Sequence, residues 1–138
     1  MPRLPVETYS ALLIEDSPTS ALITKTMLDS STQSNWIFTH APTLFAGLQC
    51  LERGTFDVVC LDLNLPNGAG LAQVVAPVLK ASGSIPVVVV TSEVDEATKL
   101  AAQAMGVQGY WRKSLDWKCR PFHDSVIDLI RARNLVPA

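Results

Sequence analysis

The chain has 138 residues, 48% of them hydrophobic, with 11 basic against 13 acidic side chains and a formal net charge of −2. That length fits a single domain, 1–138 with a globular core at about 9–132, and the apolar content excludes a disordered or fibrous chain. No basic excess and no run of Lys or Arg marks a nucleic-acid surface, so direct nucleic-acid binding is not expected.

The three cysteines, Cys50, Cys60 and Cys119, are odd in number and none stands at C-x-x-C spacing, which argues against a disulfide framework and for a reducing cytosol. Met1 to Pro5 lacks the apolar stretch of a signal peptide, and the longest apolar runs have the length of buried strands rather than of bilayer spans. A cytoplasmic protein without membrane contact is expected.

Five apolar runs suggest strands: Tyr9 to Ile14, Trp36 to Ala41, Phe56 to Leu61, Pro86 to Val90 and Val107 to Trp111. The third and fourth are apolar on both faces, as central strands of a covered parallel sheet are. Between them lie segments of helical period. Ala21, Leu22, Met27 and Leu28 predict the inner face of the first helix, and Leu44, Phe45, Leu48 and Leu51 that of the second. Leu71, Val74, Val75, Val78 and Leu79 predict the third. Ala97, Leu100, Ala101 and Ala104 predict the fourth, after Asp95 and Glu96, whose charges suit a helix N-terminus. Phe122, Val126, Leu129 and Ile130 predict the last. Gly54, Gly83 and Gly106 stand where helices two, three and four should end. Pro77 falls inside the third pattern, removes one backbone donor and crowds the carbonyl of Gln73, which predicts a kink or a local break. The sum is an α/β fold, (βα)₅, with right-handed crossovers and an open, doubly wound parallel sheet of five strands.

In such sheets ligands bind beyond the carboxyl ends of the strands. Strand one ends at Glu15-Asp16, strand three at Asp62, strand four at Thr91-Ser92 and strand five at Arg112-Lys113. Three carboxylates, a hydroxyl pair and a lysine therefore converge on one edge. Clustered carboxylates call for a cation, and an all-oxygen donor set favours Mg²⁺ or Ca²⁺. A carboxylate can also act as nucleophile toward a phosphoryl group, with Lys113 and the Thr91 hydroxyl placed to hold its oxygens. Asp16 or Ser17 can cap the helix that opens near Pro18. His40 and His123 have no suitably spaced ligand partners and read as non-catalytic, and Trp111 and Trp117 read as packing or partner contacts.

Four blocks carry a family resemblance: Ile14-Glu15-Asp16-Ser17-Pro18, Asp62-Leu63-Asn64-Leu65-Pro66-Asn67-Gly68, Thr91-Ser92 and Tyr110-Trp111-Arg112-Lys113. In this order, at strand ends, they resemble the signature of response-regulator receiver domains of two-component systems. The resemblance implies a flavodoxin-like fold with strand order 2-1-3-4-5, which the chemotaxis receiver also has. It implies Asp62 as phospho-acceptor and Mg²⁺ held by Glu15, Asp16, Asp62 and the backbone carbonyl of Asn64. It implies Thr91 as switch hydroxyl, Tyr110 as aromatic switch turning inward on phosphorylation, and Lys113 as phosphoryl-binding lysine. Asn64 and Glu93 would tune dephosphorylation, and Gly68 would permit a tight turn. The implied partners are a histidine kinase or histidine phosphotransfer domain, and a downstream effector or second copy at helix 4, strand 5 and helix 5. Ser114 stands where the family usually has proline, with a trans bond expected, and the stretch from Ser114 to Pro121 is longer than a minimal connection.

Four other readings stand beside this one. They are a pseudo-receiver that binds partners without phosphorylation, and a receiver belonging to a hybrid kinase or cyclic-dinucleotide enzyme. The others are an FMN-binding flavodoxin, disfavoured by acids where a phosphate loop belongs, and a haloacid-dehalogenase-type phosphatase, whose Asp-x-Asp would follow the first strand.

Overall fold

A computed structural model describes residues 7–32, 34–64, 70–92, 95–113 and 118–135. Five strands alternate with five helices: β1 (Glu7–Ile14), α1 (Pro18–Leu28), β2 (Ser34–Ala41), α2 (Leu44–Arg53), β3 (Val58–Leu61), α3 (Leu71–Ser82), β4 (Val87–Thr91), α4 (Glu96–Met105), β5 (Gly109–Arg112) and α5 (Cys119–Leu135). All pairings are parallel and the order is β2-β1-β3-β4-β5, the doubly wound arrangement the sequence predicts.

Alternation along the strands builds a core on each face of the sheet. Leu12, Ile14, Val59, Leu61, Val87, Val89 and Tyr110 meet α2, α3 and α4. Ala11, Leu13, Val58, Cys60, Val88 and Val90 meet α1 and α5, with Phe122, Val126 and Ile130 as the main α5 contributions. Because β3 and β4 are covered on both sides, their runs carry no polar face: Val58, Val59, Cys60 and Leu61 are all buried. Burial also pushes the Cys60 thiol up to about 12, which fits its expected role as a small core hydrophobe.

Several boundaries and faces differ from the sequence pattern. Phe56 lies outside β3; the strand starts two residues later because Asp57 turns back, its carboxylate accepting from the Ser10 N–H at 2.8 Å. Val107 follows the Gly106 cap of α4, its N–H bonded back to the Ala102 carbonyl, and β5 opens at Gly109. In α1, Leu22 is exposed and Thr24 takes the buried place, its hydroxyl donating to the Ser20 carbonyl and so losing its polarity to the backbone. In α2, Phe45 is 70% exposed, while Leu51 is buried and Leu44 and Leu48 are half-buried. The reversal is complete in α4: Ala97, Leu100, Ala101 and Ala104 all face solvent, and Ala102 is the fully buried residue. Alanines on both sides make the apolar periodicity of this short helix ambiguous, and the fit of Ala102 beneath Val107 and Tyr110 decides which face turns in.

α3 runs from Leu71 to Ser82 through Pro77 without a break. The missing donor frees the carbonyl of Gln73, an exposed residue, where water can satisfy it, while Val74, Val75 and Val78 anchor the opposite side in the core. Gly106 ends α4 with φ 116, a conformation that favours glycine. Gly47 permits a close approach: a Cβ there would stand 2.5 Å from Cδ1 of Ile14, so only glycine lets α2 settle against the last residue of β1. Among the described residues no helix is long and apolar enough to cross a membrane.

Replacing Pro77 by alanine restores the donor to Gln73 and should stabilise the fold by about 1–2 kcal/mol, after allowance for the greater freedom of the unfolded chain. Urea unfolding reads this directly; an unchanged or lowered midpoint would show that the ring's packing outweighs the lost bond.

Candidate functional site

The carboxyl end of the sheet gathers the charged residues. Asp62 N–H donates to the Ile14 carbonyl and Glu15 N–H to the Ala41 carbonyl, so strand pairing fixes both acidic residues just past β3 and β1. The His40 ring secures the same corner, with Nε2 2.5 Å from the Glu15 carbonyl oxygen. Ser17, not Asp16, caps α1: its Oγ accepts from Ser20 N–H at 3.2 Å, and Pro18 occupies the first helical position. Asp16 is thereby left exposed with its carboxylate on the site. Oxygens of Glu15, Asp16 and Asp62 lie within 4.8 Å of one another.

Lys113 closes the cluster. Its backbone N–H donates to the Thr91 carbonyl at 2.8 Å, which sets β5 beside β4. Its ammonium lies 2.5 Å from Glu15 Oε1 and 3.3 Å from Asp62 Oδ2. Asp62 Oδ1 accepts from the Asn64 N–H at 3.1 Å. Asn64 also reaches across the mouth, its side-chain N–H donating to Ser92 Oγ at 2.8 Å. Thr91 is fully buried and its hydroxyl bonds to Asp62. Tyr110 lies inward at 6% exposure, in the core with Val89 and Ala102.

The two buried carboxylates divide the charge unequally. Burial raises Glu15 to about 7, helped by its hydrogen bond to Asp62 and opposed by Lys113. Burial also acts to raise Asp62, but the bonds from Glu15 and the Asn64 N–H, the Lys113 charge and the Thr91 hydroxyl outweigh it and hold Asp62 below the usual carboxylate range. The two shifts run in opposite directions, Glu15 toward its neutral form and Asp62 toward its ionised form. An ionised Asp62 is the species a nucleophile or a metal ligand must be.

The sequence-predicted residues Glu15, Asp16, Asp62, Asn64, Thr91 and Lys113 are brought together, with Tyr110 one layer below in the core. Glu93, Gly68 and residues 114–117, which include Ser114 and Trp117, lie outside the described residues. Trp111 packs edge-on to Phe122, centroids 5.4 Å apart. Ser92, half of the expected hydroxyl pair, is placed at the site, where its bond from Asn64 is the part that sequence did not predict. One participant escapes sequence reasoning. His40 gave no signal, because its role is to hold a backbone carbonyl.

The pattern of the response regulator receiver domain matches residues 11–118. The chain belongs to that family. As a receiver it is a signalling module of two-component type. Solved structures share the fold at low sequence identity. A receiver domain from Methanospirillum hungatei is 17% identical with TM-score 0.77, covering 92% of this chain and 97% of that one. One from Clostridium thermocellum is 20% identical with TM-score 0.77, covering 92% and 98%. A response regulator from Burkholderia pseudomallei, solved with a phosphorylated aspartic acid, a calcium ion and citrate, is 18% identical with TM-score 0.70, covering 92% and 73%. No curated protein sequence matches this receiver.

The donor set fits a hard divalent cation. All candidate ligands are oxygens, and three carboxylates gather within 4.8 Å around a single ammonium.

Glu15 gives the metal-free receiver a pH signature. Its carboxyl rises from an ordinary 4.5 to about 7 on folding, so the folded state binds the extra proton across that window. Stability from this group is present below 4.5 and is lost as pH rises through 7. Asp62 has the opposite sign: its contribution holds above the ordinary 3.8 and is lost at lower pH. Urea unfolding in EDTA should show stability declining by about 1–3 kcal/mol between pH 4.5 and 7, and Glu15→Gln should flatten that decline. A wild-type stability that rises across the window would contradict the assignment of the proton to Glu15.

Proposed function

We propose that this receiver accepts a phosphoryl group on Asp62 from a phosphohistidine of a histidine kinase or histidine phosphotransfer domain, with Mg²⁺ as cofactor. One observation carries the reading: the buried Asp62 carboxylate lies beside the Lys113 ammonium in a cluster with Glu15 and Asp16. The phosphorylated aspartic acid of the Burkholderia pseudomallei relative supports it.

Glu15, Asp16, Asp62 and the Asn64 carbonyl would hold Mg²⁺, which when bound neutralises carboxylate and phosphoryl charge. A carboxylate oxygen of Asp62 attacks phosphorus; the new P–O bond forms as the P–N bond to the donor imidazole breaks, and the electron pair leaves with that nitrogen. Lys113 shifts its ammonium from the two carboxylates toward the phosphoryl oxygens. The Thr91 hydroxyl, aligned on Asp62, donates to another of them. The amide of Asn64, held by Ser92, stands at the mouth where water must approach for hydrolysis, and Glu93 is its proposed companion.

Output follows from the same contacts. Thr91 and Tyr110 are both buried here, so the inward pose of the ring needs no phosphoryl-driven turn to be formed. The phosphoryl group would hold Thr91 through differential contact and thereby favour that pose over an outward one, as selection of an existing state. The exposed strip of Ala97, Leu100, Ala101 and Ala104 on α4 supports the helix 4, strand 5 and helix 5 face as the surface an effector reads.

Acetyl phosphate with Mg²⁺ should add one phosphoryl group by intact mass spectrometry, with none in EDTA and none in Asp62→Asn. Persistent labelling of the Asn variant would falsify the acceptor assignment. A pseudo-receiver would instead remain unlabelled in the wild type.

Asn64→Arg combined with Glu93→Tyr should lengthen the phosphoryl lifetime at least about tenfold by obstructing the attacking water. An unchanged decay rate would remove both residues from the hydrolysis step.

A further inference from the structure

The two edges of the sheet are protected very differently. β5 is short, only Gly109–Arg112, and ends in Arg112 and Lys113. β2 at the other edge is eight residues long, Ser-Asn-Trp-Ile-Phe-Thr-His-Ala, with no acidic residue, lysine, arginine or proline. It pairs along its whole length with β1 on one side, and no other described strand lies beyond it. Ile37 at its centre is 62% exposed. Short strands, charges and prolines are what keep natural edges from pairing, and β2 has none of them.

The register shows what fits this edge. Ala41 turns its carbonyl to β1, where it accepts from Glu15 N–H. By strand alternation Thr39, Ile37 and Asn35 also turn their backbone groups inward, and Ser34, Trp36, Phe38 and His40 turn theirs outward. A new antiparallel neighbour must pair outward-turned residues with one another and keep side chains on matching faces. A two-fold axis at Ile37 satisfies both conditions with β2 itself. It sets Trp36 opposite Phe38 of a second copy and Ser34 opposite its His40, each pair exchanging two backbone bonds. Ile37 then meets its own counterpart in a non-hydrogen-bonded pair, where side chains approach most closely. Trp36 and Phe38 already stack within one chain, centroids 6.0 Å apart, so the pairing extends an aromatic row across the axis. With no formal charge required along the strand, self-pairing meets no like-charge repulsion.

We infer that the β2 edge is a homodimer interface, joining two copies into one continuous ten-stranded sheet by antiparallel β2–β2 pairing about Ile37. The interface is separate from the α4 face and needs no phosphorylation.

Sedimentation analysis of the unphosphorylated full chain should show a concentration-dependent dimer. Ile37→Lys places two ammonium groups on the axis and should weaken the dimer at least about tenfold while leaving the monomer folded, because the side chain is exposed. Leu100→Asp on α4 should leave it intact. In a Cys119→Ser background, Ile37→Cys should form an intermolecular disulfide readily, since the paired Cα atoms stand about 4.5 Å apart, and Asn35→Cys should not. A monomer at all concentrations overturns the inference. So does a dimer that Leu100→Asp breaks and Ile37→Lys does not, or equal cross-linking at the two positions.

Discussion

The structure turns on one ammonium held between two buried carboxylates. Lys113 stands 2.5 Å from Glu15 and 3.3 Å from Asp62, each of which would be costly to bury as an unpaired anion. The three residues come from the ends of β5, β1 and β3, so no local segment can make the arrangement; the sheet order must bring them together. The charge balance is incomplete, with one cation facing two acids. Burial pushes Glu15 up to about 7, toward its neutral form, while Asp62 is held toward its ionised form. Three acidic groups around one ammonium could hold a further cation. Stability and readiness for chemistry are thus opposed at this corner, a common cost of a functional site.

The scaffold beneath is shaped to deliver that corner. Gly47 lets α2 approach Ile14, and Ile14 supplies the carbonyl that receives Asp62 N–H. Ala41 receives Glu15 N–H, and His40 holds the Glu15 carbonyl, so the edge strand braces the acidic pair as well as extending the sheet. Any movement of β2 would therefore reach Glu15 through two adjacent residues. This links the proposed dimer edge to the acidic pocket by direct bonds rather than by distance alone.

Much of this was legible in the sequence because it depends on strand ends. Asp62, Thr91 and Lys113 each directly follow or close an apolar run, and parallel topology alone sends such positions to one edge. The role of the valine runs was legible from their apolar composition on both faces, whereas the strand order came only through the family resemblance. What failed was the orientation of surface helices. Leu22, Phe45 and Leu100 were assigned inward by period, yet all three are exposed, because a short helix with apolar residues on two sides has no unique inner face. Capping was ambiguous between Asp16 and Ser17, and it mattered: with Ser17 as cap, Asp16 remains with the acids. The hydrogen bond between Asn64 and Ser92 was hidden because it joins two loops 28 positions apart.

The exposed apolar residues that periodicity misplaced are informative for that reason. A residue whose sequence pattern says core and whose structure says surface is one that folding does not require in that place. On α4, Ala97, Leu100, Ala101 and Ala104 form such a strip beside the buried Tyr110, which lies against Ala102 on the inner side of the same helix. Tyr110 and Ala102 share one core cluster, so the inner side of α4 is packed in common with the ring while the outer strip faces solvent. β5 carries both Tyr110 and, three residues later, Lys113, so the ammonium that balances the carboxylates and the ring that seats α4 share one four-residue strand and its first following residue. In the proposed phosphorylated state, a change in charge at Asp62 would act on Lys113 as well as on Thr91, and Lys113 lies three residues after Tyr110, which pairs with Val89. On the proposed reading, that short covalent path along β5 would carry an electrostatic event in the pocket toward the apolar surface of α4.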